Sequence, residues 1–300
     1  MFVIRIARQD DLDAISEVCS AALTSDLDDA GSLPALLWDS PATRPQLRLV
    51  AETAGRIVGV ALGALRIPPG GPPTGHVDLL AVAPEVQGAG IGRTLLAALE
   101  HALRIAGAGE ARVGGNAPCY AWPGVDATYT AALGLVESAG YERSREAVNM
   151  TVDLRGVALD TTADERRLMG HGIAVRPLAS SDEPGFSSWV TDSWSLQWAW
   201  EATRALVRPG AGCHIAHRGP DFVGFAAYGS NRPSWFGPMA TSPAEQRLGL
   251  GRVLLFRCLA DQLDAGVTQA TIAWVGPADF YRHVLGAEVD RVFRQYRKAL

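Results

Sequence analysis

HVDLLAVAPEVQGAGIGRTLLAALEHAL, residues 76–103, reads without a break as a strand, a turn and a helix. Val77 to Val82 is an apolar run that ends at Ala83-Pro84. Gly88, Gly90 and Gly92 follow, and glycine lets a backbone take positive φ and approach a ligand closely. Leu95, Leu96, Leu99 and Leu103 then recur at helical spacing until Gly107, the usual kind of helix stop. The first turn of such a helix offers free N–H groups at the positive end of its dipole, so turn and helix together form an anion nest, with Arg93 adding charge beside it. An α/β unit that holds phosphate is the expectation.

The device occurs twice. WFGPMATSPAEQRLGLGR, residues 235–252, places Pro243, Gln246, Gly249, Gly251 and Arg252 each 159 positions after Pro84, Gln87, Gly90, Gly92 and Arg93. Leu254, Leu255, Cys258 and Leu259 repeat the helical pattern, which stops at Gly266. Upstream, Val50 to Gly59 and Ile215 to Gly224 have equal length and read as hairpins over Gly55 and Gly219-Pro220. Arg5 to Asp11 and Arg176 to Asp182 each lead from an apolar strand into a helix start. A duplicated α/β unit with a mixed sheet is expected, one copy in residues 1–155 and the other in 173–300. The join, 156–172, is charged and glycine-containing, and reads as a short linker or a crossing segment with one helical turn. NAPCYAWPGVDATY (116–129) is an insertion that the second copy lacks.

Composition narrows the function classes. The chain has 300 residues, 48% of them apolar and 20% charged, the balance of a water-soluble globular protein long enough for two cores. No apolar run approaches the ~18 residues of a membrane span, and the acidic start MFVIRIARQDDLD does not read as a secretory signal. A cytoplasmic protein is expected. A net charge of −5 argues against a nucleic-acid partner. Cys19, Cys119, Cys213 and Cys258 are far apart, and the six histidines show no metal spacing, so neither a disulfide framework nor a metal site is expected.

The turns separate competing phosphate motifs. Neither copy has the lysine of a Walker A loop, and Arg93 stands where a dinucleotide fold needs its third glycine. Both fit Q-x-x-G-x-G, which resembles the pyrophosphate turn of the GNAT superfamily of N-acetyltransferases. The resemblance covers most of both halves and implies two tandem GNAT acyl-CoA N-acyltransferase domains with acetyl-CoA as co-substrate. It places the coenzyme on Gln87, Gly88, Ala89, Gly90, Ile91, Gly92 and Arg93, and on Gln246, Arg247, Leu248, Gly249, Leu250, Gly251 and Arg252. Backbone groups of Leu80, Ala81 and Val82, and of Met239 and Ala240, would hold the pantetheine arm, with Pro238 removing one donor. YAWPGVD (120–126) and IAWVGPADFYRHVLGAEV (272–289) resemble bacterial tandem GNAT proteins that include glucosamine and glucosaminide N-acetyltransferases.

Direct transfer of acetyl to the primary amine of a small molecule, an amino sugar in the narrower version, is what the resemblance implies. Asp78 stands where the family often places its base; the plainer reading is a solvent-facing strand residue. Tyr281, in Asp279-Phe280-Tyr281, resembles the tyrosine that protonates the leaving thiolate; the plainer reading is a buried aromatic. Trp122 reads as an exposed loop aromatic, and Trp198 as part of an aromatic acceptor wall with Trp189, Trp194 and Trp200 or as core. Asp126 and Glu201 are candidates for sugar hydroxyls or an ammonium. Each half carries part of a catalytic set, which leaves open a non-catalytic acyl-CoA-binding regulatory protein or a protein N-acetyltransferase.

Overall fold

The computed structural model describes residues 1–68 and 70–300. In chain order the elements are β1 (Val3–Ile6), α1 (Leu12–Ala22), α2 (Leu33–Trp38), β2 (Thr43–Thr53), β3 (Arg56–Arg66), β4 (Thr74–Val82), α3 (Ile91–Ile105), β5 (Glu110–Val113), β6 (Val125–Asp126), α4 (Thr130–Ser138) and β7 (Glu142–Asp153). They continue as α5 (Thr162–Gly170), β8 (Ile173–Pro177), α6 (Glu183–Ser193), α7 (Leu196–Thr203), β9 (Gly212–Arg218), β10 (Asp221–Tyr228), β11 (Trp235–Thr241), α8 (Leu250–Asp264), β12 (Gln269–Ile272), α9 (Ala278–Leu285) and β13 (Glu288–Ala299).

The chain forms two compact units, but not along the expected boundaries. Unit 1 is Met1–Ala147 together with Val292–Leu300, and unit 2 is Val148–Arg291. Unit 1 carries the strand order β1-β2-β3-β4-β5-β13, antiparallel except between β4 and β5. Unit 2 carries β8-β9-β10-β11-β12-β7, antiparallel except between β11 and β12. Each sheet is therefore closed by a strand from the opposite half of the sequence. Tyr296 to Ala299 pair with Val113 to Glu110, while Met150 to Asp153 pair with Ile272 to Gln269. The supposed linker holds α5, whose buried Leu168 lies in the core of unit 2.

The internal repeat extends to side-chain detail. Arg5 grips Asp11 through two bonds of 2.7 and 2.9 Å, and Arg176 grips Asp182 at 2.6 and 2.8 Å. The same carboxylates accept the backbone N–H of Arg8 and Ala179. Bidentate arginine pairs of this kind fix both distance and orientation, so each copy turns from its first strand into its first helix in the same way.

In unit 1, α3 lies on one sheet face and α1 on the other. Leu95, Leu96, Leu99 and Leu103 meet Ala61, Leu65 and Val77, while Ile15, Val18 and Cys19 meet Val50, Val60, Leu62 and Leu79. Glycines set how closely α3 approaches. A Cβ on Gly59 would stand 3.0 Å from Leu95, on Gly63 2.8 Å from Leu99, and on Gly75 2.8 Å from Leu103. The leucines thus seat in a furrow that larger residues would fill. In unit 2, α8 takes the equivalent face, and Phe186 and Val190 of α6 with Ala199 and Ala202 of α7 cover the other.

Candidate functional site

The strand before each turn loses one neighbour. β4 and β5 pair from Thr74–Glu110 to Val77–Val113, and Gly114 donates its N–H to Val77 O at 2.9 Å. Beyond Val77, β4 runs on to Val82 with β3 as its ladder partner. The β3–β4 register slips here: Leu62 faces Leu79 and Gly63 faces Val77, so Asp78 is the extra residue of a bulge. Further along, Ala83 N–H bonds Val58 O. Strand alternation then spends the peptide groups of Ala81 on β3 and turns those of Leu80 and Val82 to the side β5 has left. Gln87 shows that direction, since its Nε2 donates to Val82 O at 2.9 Å. Of the expected backbone trio, Leu80 and Val82 thus face the gap, whereas Ala81 does not.

The turn that follows has the conformation its glycines predict. Gly88 and Gly90 have φ of 79° and 81°, and Gly90 is the left-handed N-cap of α3, with no side chain capping the helix. A Cβ on either glycine would meet nothing within 4 Å, so the space before the helix start is open. Arg93 is exposed and forms no ion pair among the described residues. Uncapped N–H groups, a helix dipole and a free cation facing open space fit a pyrophosphate.

Asp78 is buried, not solvent-facing. Asn116, from the inserted segment and also buried, donates its amide to Asp78 Oδ2 at 3.0 Å. Asp78 Oδ1 has no hydrogen-bond partner among the described residues. Burial pushes the carboxyl from its ordinary 3.8 up to about 7, while the Asn116 hydrogen bond pulls it down. A carboxylate in such a place changes protonation near neutral pH, as a general base must.

Unit 2 has the same frame with different contents. β11 and β12 share only the pairs Trp235–Thr271 and Phe236–Ile272 before they part. Ser242 N–H bonds Val223 O, which by alternation turns Met239 into the gap and spends Ala240 on β10. Gly249 is the left-handed N-cap of α8, but Arg247, at φ 67°, replaces the first glycine. Arg167 of α5 lies against Gly249, so this turn does not offer a pyrophosphate the open space found in unit 1.

Residues 14–118, most of the sequence-contiguous part of unit 1, match the acetyltransferase (GNAT) family. No curated protein matches the chain in sequence. Solved structures align with it nearly end to end. A GCN5-related glucosamine N-acetyltransferase region of a fungal multi-domain GH3 β-N-acetylglucosaminidase superposes with a TM-score of 0.77 at 20% identity. That alignment covers 99% of this chain but only 38% of the fungal protein. A tandem GNAT protein from the clavulanic acid biosynthesis pathway gives 0.69 at 19% identity, covering 100% and 98% of the two chains. A GCN5-related N-acetyltransferase from Sphaerobacter thermophilus gives 0.66 at 16% identity, covering 99% and 95%.

The chain has a tandem GNAT fold. Several acceptor-side expectations need correction. Trp122 is buried, and its indole N–H points to both oxygens of Asp26 at 3.2 Å. Asp26 also accepts from the Tyr129 hydroxyl at 2.8 Å. Asp126 is buried and accepts the backbone N–H and hydroxyl of Thr128, both at 2.7 Å, so it shapes the turn into α4. These two hold the inserted segment in place and do not form an exposed acceptor loop.

Trp198 is half-buried, its ring 6.3 Å from that of Phe225, and with the half-buried Trp189 and Trp194 it packs against the buried cluster of Phe186 and Phe225 in unit 2. Glu201 is buried on α7, where desolvation pushes it up to about 8. Tyr281 is buried on α9 with Phe236 and Phe280 around it, and burial pushes its hydroxyl up to about 12. The corresponding helix of unit 1, α4, has no tyrosine; its Leu135 lies 3.4 Å from where a Cβ on Gly92 would be, as Phe280 lies 3.9 Å from one on Gly251. Asn116 escaped the sequence reading, because an asparagine in an irregular insertion carries no spacing signal. Among the described residues no group of acidic, histidine or cysteine side chains is arranged to hold a metal, and no helix is long and apolar enough to cross a membrane.

Proposed function

We propose that the chain is an acetyl-CoA-dependent N-acetyltransferase for the primary amine of a small molecule, with its reaction centre in unit 1. The observation that carries this reading is the position of Asp78. It is a buried carboxylate in the bulge of β4, at the start of the unpaired stretch that leads to the open glycine turn.

When bound, acetyl-CoA would supply a thioester: the acceptor nitrogen bonds its carbonyl carbon, the C–S bond breaks, and the coenzyme leaves as the thiol with the second proton that the amine gives up. The rest falls to the protein. The N–H groups at the start of α3, with Arg93 beside them, hold the pyrophosphate. Leu80 and Val82 offer peptide groups in the gap, and the Val82 N–H is the donor proposed for the thioester oxygen. An alkyl amine arrives protonated, with a reference pKa near 10, so a base must take a proton before nitrogen has a lone pair to use. Asp78 is that base: Asn116 holds its Oδ2, and Oδ1 has no hydrogen-bond partner among the described residues. Fixing amine and base in line supplies much of the remaining rate. No step in unit 1 is assigned to Tyr281, since α4, the corresponding helix there, has no tyrosine.

The test is release of free thiol from acetyl-CoA against a panel of primary amines. Glucosamine heads the panel because the fungal region of the same fold is described as a glucosamine N-acetyltransferase. Thiol release with a panel amine, lost in Asp78→Asn with acetyl-CoA binding retained, supports the reading. Binding of acetyl-CoA without transfer to any amine would instead favour a regulatory acyl-CoA-binding protein.

A further inference from the structure

The two coenzyme turns differ in what stands before them. At α3 the approach is open. At α8 it is filled by α5, from the segment that joins the two sequence repeats. Arg167 Nη1 donates to Leu248 O at 2.6 Å, and Nη2 lies 2.7 Å from where a Cβ on Gly249 would be. Asp164 bonds Arg167 at 3.0 Å through one oxygen and Arg252 through the other. Arg252 corresponds to Arg93, the free cation of the open turn. The carboxylate of Asp164 therefore answers the positive charge that a pyrophosphate would answer.

Further bonds hold α5 in place. Glu165 accepts two bonds from Arg257 on α8, at 2.6 and 2.7 Å, and one from the Thr161 hydroxyl at 2.5 Å. Leu168 is fully buried beneath the helix. Ion pairs at a partly exposed site each contribute little. A bidentate pair and an apolar anchor on one short helix act together.

We propose that the coenzyme turn of unit 2 is closed by its own chain, with Asp164 as a built-in anion at Arg252 and Arg167 over Gly249. Pyrophosphate then binds at the unit 1 turn alone, a consequence that rests on the acetyl-CoA reading above. Unit 2 is a GNAT fold retained with its own lid bound in the coenzyme's place.

Calorimetric titration of acetyl-CoA into the full chain, with hydrogen exchange on the same samples, tests this. The expected result is about one equivalent bound per chain, abolished by Gly90→Glu and, as a second variant at the same turn, by Arg93→Glu. Coenzyme should slow exchange at residues 87–93 and leave 246–252 unchanged. About two equivalents, or binding that survives both variants, would overturn closure while leaving the acetyl-CoA reading standing. Absence of any binding would defeat that reading instead. Exchange without coenzyme then decides closure: slow amides at Glu165–Leu168, speeded by Arg257→Ala, support a docked lid, and exchange at unfolded rates overturns it.

Discussion

Among the described residues Asp78 has no cation beside it, and one of its oxygens has no hydrogen-bond partner. Its raised pKa therefore costs stability and serves chemistry at once. Below about pH 4 the carboxyl is protonated in both folded and unfolded chains. Between about 4 and about 7 the unfolded chain loses the proton first, so stability falls; above about 7 the full loss persists. The loss is on the order of 4 kcal/mol. Asp78→Asn should thus raise the thermal midpoint at pH 8 and change it little at pH 4, while removing the rate limb that rises through about pH 7. An unchanged pH–rate profile would remove Asp78 from the role of base. Asn116→Ala deletes the bond that lowers the Asp78 pKa, so the same limb should move to higher pH. A merely structural asparagine would lower stability and leave the limb where it was.

Among the elements, α3 sets the geometry of the unit 1 turn, because its N-terminus can be no nearer the end of β4 than its leucines allow. Gly63 faces Leu99 on one side and His76 O on the other, each 2.8 Å from an added Cβ. Gly63→Ala should cost about 1–3 kcal/mol in denaturant unfolding, the usual cost of overpacking. It should also weaken coenzyme binding by tilting the helix start. Leu99→Ala leaves a cavity in the same furrow and should cost about 2–5 kcal/mol. A Gly63→Ala variant of wild-type stability and affinity would show that the furrow does not position the turn. The strand–turn–helix elements were legible in sequence because their signals are local: apolar runs, a proline stop, glycines that need positive φ, and leucines at helical spacing. Asp126 and Trp122 were misread for the opposite reason. Their segment has no period: only the fold brings Asp26 to Trp122, and Asp126 is held locally by Thr128, two residues on.

For the whole molecule, sequence order and fold order disagree. Val292–Leu300 closes the sheet of unit 1, with Phe293 and Tyr296 almost fully buried there. Removing these residues bares the edge of β5 and empties part of the core. In a chain ending at Arg291, hydrogen exchange should rise throughout the unit 1 sheet and remain near wild type in β8 to β12. Equal protection in both forms would mean that the last strand is dispensable. The same topology makes a fragment cut at residue 155 a poor test of unit 1, since it lacks β13 and carries the β7 residues that complete unit 2.

By itself the sequence determined the duplication, the α/β class, the two glycine turns and the carboxylate at residue 78, because each rests on spacing within a few tens of residues. Tertiary structure alone decided which strand completes which sheet, that Asp78 is buried and bonded to Asn116, and that α5 covers the second turn. Those outcomes depend on pairings between residues far apart in the chain, such as Tyr296 with Val113 and Arg252 with Asp164. Such pairings are chosen by the burial and charge that the assembled fold makes available, and no local period in the sequence records them.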